Sequence, residues 1–324
     1  MEKILVSGSS GFIGKKLCRE LIKLNRSVVG TVRNLDSIEN ENNFEKFIIN
    51  NISLSTEWKN ALKDVSCIIH CAGKAHIMNR DNKKDFYHSV NTEGTIRLAK
   101  QAAEIGVKRL IFLSSVKVNG ENTEEIFLDK AEKKKTNKIF KNDDIPNPQD
   151  FYAKSKFEAE KELWEISKKT GLEVIVIRLP LVYGVGVKGN MLKLIKLINS
   201  GIPLPFSLVK NKRSLISIEN LVDILIKCID HPNVAGKTFL VSDGEDLSTT
   251  DLLKYIGSAM GVSVRLFPFP IFLLKLLSTF IGRQTEMDRL LFSLQVDSTD
   301  IKKTLNWIAP LSVKEGIRKM VKGE

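Results

Sequence analysis

Tyr152 and Lys156, four residues apart in Phe151-Tyr-Ala-Lys-Ser-Lys156, are a pair that can move protons. On a helix that spacing puts both side chains on one face. A tyrosine in water has a pKa of about 10 and is a poor acid–base group at neutral pH. A neighbouring ammonium favours the phenolate and is expected to bring the phenol toward working range. A hydroxyl is then needed to hold the substrate oxygen. Ser114 and Ser115 close the apolar run Arg109–Leu113, where a parallel sheet would present one. A Tyr-x-x-x-Lys pair arises often by chance, so its meaning rests on the elements around it.

The first such element is Gly8-Ser-Ser-Gly-Phe-Ile-Gly14, between the strand-like Ile4–Val6 and a helical pattern over Phe12–Leu24. Glycines there permit a tight turn, let backbone N–H groups approach a diphosphate, and allow close helix–strand packing. Further apolar runs follow at Ser27–Val32, Phe47–Ile49, Cys67–His70, Arg109–Leu113 and Glu173–Ile177. Helical patterns such as Thr95–Ile105 and Lys154–Lys169 lie between them. Continuous apolar strands alternating with helices predict an α/β fold, a doubly wound parallel sheet of Rossmann type with its ligand beyond the C-terminal strand ends. The expected division is a nucleotide-binding domain over 1–180 and a smaller, interleaved substrate lobe over 181–324. Residues 213–242, including the strand-like Lys237–Ser242, are expected to complete the sheet.

The chain has 324 residues, 43% hydrophobic and 27% charged, ordinary for a globular protein. It opens directly on a strand, so no signal peptide is expected. Its four scattered cysteines, Cys18, Cys67, Cys71 and Cys228, lack metal-site spacing and read as reduced core thiols of a cytoplasmic protein. The net charge of +12 suits an anionic partner. No aromatic-interleaved basic face or zinc-finger spacing accompanies it, which argues against nucleic acid. The basic run Lys130–Lys141 reads as a solvated loop. The helix-like part of Arg265–Arg283, Ile271–Ile281, is too short to span a bilayer; a core or dimer contact is favoured over a membrane-surface helix.

Taken together, these motifs resemble an extended short-chain dehydrogenase/reductase of the NAD(P)-dependent epimerase/dehydratase type, in the branch of the UDP-galactose 4-epimerases. Gly8, Gly11 and Gly14 match the family's glycine motif, with Phe12 and Ile13 at its turn into the helix. Asn51-Ile52 falls where the family contacts the adenine, and His70-Cys-Ala72-Gly73 beside the ribose. Asn91 matches a structural asparagine. Aligning Val118-Asn-Gly120 with the family's Val-Tyr-Gly makes Ser115, rather than Ser114, the catalytic hydroxyl. The resemblance assigns Tyr152 as proton donor and Lys156 as its cofactor-binding helper. It sets Pro180, in Arg178-Leu-Pro-Leu-Val-Tyr-Gly184, near the nicotinamide. Arg213 is implied to clamp the sugar-nucleotide diphosphate, and Asn190 to line the substrate side. Asp297 and Leu305-Asn-Trp307 match the C-terminal signature, Trp307 reading as core. No metal is implied, and homodimers are common in the family.

Two departures bear on the reaction. The Ser115–Tyr152 interval is long, so the cleft rim differs. The second strand ends in Val32-Arg33-Asn34 with no acidic residue before Asp36, where NAD-binding members hold a carboxylate for the ribose 2′-OH. A guanidinium there pairs with a 2′-phosphate. NADP(H) is therefore the favoured cofactor and NAD the alternative. The favoured function is reduction of the C4 ketone of a UDP-linked 4-keto-6-deoxy-N-acetylhexosamine, for surface polysaccharides of the O-antigen or capsule kind in a bacterial cytoplasm. Alternatives are a UDP-glucose or UDP-N-acetylglucosamine 4-epimerase with bound NAD, an enzyme of a polyprenyl-diphosphate-linked sugar, and a non-catalytic NADP sensor.

Overall fold

The alternation of apolar runs and helices finds its reason in the computed structural model, which describes residues 2–34, 43–75, 83–124 and 138–324. The first half runs β1 (Lys3–Ser7), α1 (Phe12–Lys23), β2 (Ser27–Val32), β3 (Phe44–Ile48), β4 (Val65–His70), α2 (Lys83–Tyr87), α3 (Gly94–Ile105), β5 (Arg109–Ser115), α4 (Phe151–Thr170) and β6 (Glu173–Leu179). The second half runs β7 (Leu181–Tyr183), α5 (Asn190–Asn199), β8 (Leu215–Ser217), α6 (Ile218–Asp230), β9 (Lys237–Leu240) and α7 (Thr249–Met260). Four helices complete it: α8 (Ile271–Phe280), α9 (Gln284–Leu291), α10 (Thr299–Leu305) and α11 (Val313–Lys322).

Among the described residues, seven parallel strands form one sheet in the order β3-β2-β1-β4-β5-β6-β9. The order reverses between β1 and β4, which makes the crevice beyond their C-terminal ends the natural ligand site. Both faces are covered. Leu17 and Leu21 of α1 and Leu221 and Leu225 of α6 pack on one, and Leu98, Ala102 and Leu163 of α3 and α4 on the other. That burial is why the strands read as unbroken apolar runs.

Of the stretch 213–242, only β9 joins the large sheet. Leu215–Ser217 pairs instead with Leu181–Tyr183 in a separate two-stranded sheet, and α6 returns across α1. Arg109, buried at the start of β5, secures that return. Its Nη1 donates to the carbonyls of Cys228 and Ile229 at 2.8 and 2.5 Å, at the negative end of α6. Its Nη2 also pairs with Glu173 at 2.6 Å. A third core, with Leu194, Leu253, Ile256, Leu274 and Ile317, gathers α5, α7, α8 and α11 into a smaller lobe. Within the basic run, residues 130–137 lie outside the described residues; Phe140 bridges Val296 in parallel. Trp307 is buried and its Nε1 donates to Asp223 at 2.7 Å. Among the described residues no helix is long and apolar enough to cross a membrane.

Candidate active site

Gly8 and Ala72, which follow β1 and β4, meet at the switch point. Gly8 has φ +68°, and a Cβ there would lie 2.9 Å from Ala72 Cα. A Cβ on Gly14 would lie 2.3 Å from the Gly8 carbonyl oxygen, so Gly14 serves helix–strand packing. Gly11 caps α1 without a side-chain hydrogen bond, and no acidic residue occupies the first turn. The free N–H groups at that end suit an anion. Next to it opens a cavity of about 970 Å³, lined by Gly8, Gly11, Phe12, Arg33, Asn51, Ile52, Ala72 and Gly73. Lys15, Lys16 and Arg19 add cationic wall. Glu219 also lines it, and its Oε2 is buried without a hydrogen-bond partner among the described residues. Size, glycine cradle and bare helix end all fit a nicotinamide dinucleotide. Ile13, Gly14 and Pro180 are not on the cavity wall. Ile13 packs into the core and Pro180 lies buried between β6 and β7.

Ser115, Tyr152 and Lys156, the candidate proton-moving residues, are not on the cavity wall either, and Lys156 is the one that reaches its edge. Asp150 starts α4 by accepting from the Ala153 N–H at 2.7 Å, and Lys117 clamps its other oxygen at 2.6 Å. This fixes Tyr152 in the first turn, edge-on to Tyr87 with ring centroids 5.9 Å apart. Lys156, one turn on, donates to the Leu113 carbonyl at 2.9 Å and lies over the Phe112 ring, 4.4 Å from its centroid. A Cβ on Gly73 would come within 3.2 Å of Lys156 Nζ, so the ammonium lies against the cavity's edge. Asn91 braces that edge, accepting from Lys74 N at 2.8 Å and donating to Lys74 O at 3.0 Å and to Ser155 Oγ at 3.1 Å.

One expectation is corrected. The sequence predicts that Lys156 draws the phenol toward neutrality, but burial dominates and pushes Tyr152 up to about 12. A hydrogen bond from Ser115 opposes this without overcoming it, and the Asp150 carboxylate adds to the rise. Burial also holds Lys156 down, at about 8, with the Glu160 carboxylate opposing. Tyr152 is thus held in its neutral, protonated form at neutral pH.

Glu160 is a residue that motif reasoning missed. Its signal lay in the spacing, since Tyr152, Lys156 and Glu160 repeat every fourth residue along one stripe of α4. Buried Glu160 takes a bidentate hold from Arg178, with Nη2 to Oε2 at 2.7 Å and Nε to Oε1 at 3.1 Å. Arg178 Nη1 also reaches Asn119 Oδ1 at 3.0 Å. Ser114 donates to the same Glu160 carboxylate, whereas Ser115 faces Tyr152. The two adjacent serines are thereby told apart.

His70, at the end of β4, is buried and neutral. Thr95 donates to the Asn91 carbonyl at 2.7 Å, so its oxygen accepts from His70 Nε2 at 3.0 Å. Ser7, which accepts from Ala72 N at 3.2 Å, donates to His70 Nδ1 at 2.6 Å. Burial, with Lys156 nearby, lowers the imidazole from 6.5 to about 3. The unfolded chain therefore takes up a proton, between pH 6.5 and about 3, that the fold refuses. Acidification through this window should remove up to about 1.4 kcal/mol of stability per pH unit from this group. Urea midpoints across the window should fall more steeply for the wild type than for His70→Gln. Parallel slopes would reject a neutral buried His70.

At the far end of the site, Arg213 is held by backbone pairing to Leu247 and Leu294 and donates through Nη1 to the Phe292 carbonyl at 2.9 Å. Burial and the nearby Arg289 guanidinium hold it down at about 10, still cationic at neutral pH. Among the described residues no carboxylate forms a salt bridge with either arginine. Arg289 also influences Asp150, two residues from Tyr152. Arg289 had no motif to reveal it. Asn190 opens α5 and is not on the cavity wall.

Residues 4–242 match the profile described as NAD dependent epimerase/dehydratase family. A UDP-glucose 4-epimerase of Vibrio cholerae is 41% identical over 321 residues, covering 98% of this chain and 94% of that protein. The fold is similar to a UDP-glucuronic acid 4-epimerase from Bacillus cereus solved with NAD, with TM-score 0.78, 20% identity, and coverage of 99% of this chain and 96% of that one. It is also similar to a Thermotoga maritima UDP-glucose 4-epimerase solved with UDP-glucose, with TM-score 0.75, 18% identity, and coverage of 99% and 97%.

Proposed function

This chain belongs to the NAD dependent epimerase/dehydratase family, and on that premise we propose that it exchanges hydride and proton at C4 of a UDP-linked hexose, as a 4-epimerase. The pairing of Ser115 with Tyr152, and the place of Lys156, one turn further along α4, against Gly73 of the glycine-lined cavity, carry this reading. The Vibrio relative supports both the position and the outcome. A nicotinamide dinucleotide held at the Gly8–Gly14 turn would supply the hydride chemistry at C4. Ser115 holds the C4 oxygen, and Tyr152 gives or takes its proton. Lys156 spends one N–H on Leu113 and keeps two for ribose hydroxyls. Arg213 and Arg289, neither in a salt bridge among the described residues, suit the two charges of a diphosphate.

A second reading, reduction of a UDP-4-keto sugar by NADPH, draws on two observations. Arg33, Lys15 and Arg19 line the cavity, and among the described residues β2 ends without a carboxylate. Tyr152 is held neutral, the form that donates to a developing alkoxide. One experiment separates the two. An epimerase should carry tightly held NAD through purification and interconvert UDP-glucose and UDP-galactose, or their N-acetyl counterparts, without added cofactor. A reductase should consume NADPH with a UDP-4-keto sugar, and Arg33→Asp should weaken NADPH binding about tenfold or more with NADH little changed. Turnover of no UDP-sugar under either regime would reject both.

A further inference from the structure

From Leu252 to Thr285 the chain carries Lys254, Arg265, Lys275 and Arg283 and no carboxylate. At its centre lies α8, apolar at every position except Lys275, Ser278 and Thr279. A helix so apolar around its circumference belongs in a core. Only one side of α8 is there, through Leu274 and Ser278. Phe272, Leu276 and Phe280 form an outward ridge at every fourth residue, and Leu277 and Ile281 form the next. Phe272 is 69% and Phe280 80% exposed, which leaves two aromatic rings almost wholly in water. A contiguous patch of this kind marks an interaction surface.

We propose that this face of α8 docks on the surface of an anionic phospholipid bilayer, lying in the interface plane. The helix has ten residues and is too short to enter as a span. Ridge-forming aromatic and aliphatic side chains next to cations are what an in-plane helix offers to lipid. The charge pattern selects the occupant. Glu286, the first carboxylate after the patch, is already paired with Lys193 at 2.7 Å. A second copy packed on this face would bring the same cations again and no carboxylate from the same stretch. An anionic headgroup layer answers that charge, and the chain's net +12 adds to the attraction. Docking would also hold the substrate end of the site close to the lipid. Lys275 stacks over the Phe292 ring at 4.0 Å, and the Phe292 carbonyl receives Arg213.

The test is co-sedimentation of the full-length protein with vesicles of phosphatidylcholine containing phosphatidylglycerol, and with vesicles of phosphatidylcholine alone. The comparison variant is F272S/F280S, which removes apolar surface at constant charge from two exposed positions. Its far-ultraviolet circular dichroism and urea midpoint should match the wild type. The wild type should pellet with the anionic vesicles, and binding should fall about tenfold or more for the variant and for neutral vesicles. Wild-type protein left in the supernatant would overturn the proposal. So would equal pelleting of the variant, which would reduce the effect to net charge. Sedimentation velocity showing wild-type self-association that F272S/F280S abolishes would assign the face to a second copy instead.

Discussion

Tyr152→Phe is expected to lower turnover about a thousandfold while leaving dinucleotide affinity nearly unchanged. The substitution removes one oxygen and keeps the ring that packs edge-on against Tyr87, so position and packing survive. What goes is the hydroxyl that is hydrogen-bonded with Ser115 and that burial keeps protonated. Gly8, Gly11 and Gly73 on the cavity wall, and Lys156 at its edge, are untouched, which is why binding and turnover should separate. Fluorescence titration with the nucleotide and steady-state kinetics on the UDP-sugar substrate read the two quantities. Turnover within a few fold of wild type would remove Tyr152 from the chemistry and leave the Ser115–Lys156 pair without a proton donor.

A change of comparable size, in stability rather than rate, is expected at Arg178. Its side chain and that of Glu160 are 5% and 2% exposed, with nitrogen and oxygen 2.7 Å apart. Taking both charges from water costs several kcal/mol each, so the intact pair contributes little net stability. Removing one partner is another matter, because the remaining charge stays buried. Arg178→Met should cost about 3–5 kcal/mol in chemical unfolding, and Glu160→Leu added to it should recover most of that loss. Failure of the second substitution to rescue the first would mean that the arginine acts through Asn119 or through packing, and not as the counter-charge.

The legible and illegible parts of this chain divide along a physical line. Strands β1, β2, β4, β5 and β6 and the helix carrying Tyr152 were readable because burial on two faces leaves an apolar run, and because glycines and caps mark element ends. The pairing of β7 with β8 was not, since three-residue strands joined across distant sequence leave no periodic trace. Of the stretch 213–242 expected to complete the large sheet, only β9 therefore lies in it. At the site, residue types and spacing brought out Tyr152, Lys156, the Ser114–Ser115 pair and the glycines, and the family resemblance chose Ser115. They could not give the protonation balance. A neighbouring ammonium is visible in the sequence, whereas the desolvation that outweighs it at Tyr152 exists only once Tyr87 and α4 are packed. Glu160 shows the reverse case, where the spacing was in plain view and only the partner, Arg178, gave it meaning. Arg289 shares no local pattern with Arg213 and meets it through tertiary packing alone.

The course of the chain after β6 limits how such a protein can be rebuilt. It leaves for the small lobe, returns to lay α6 over α1 and β9 along β6, and leaves again. Neither half is therefore a cassette. Cutting after residue 180 would strip one flank of the sheet and uncover Leu17 and Leu21. Grafting another protein's sugar-recognition lobe onto this cofactor-binding half would need at least two splice points, with α6 and β9 kept from the parent.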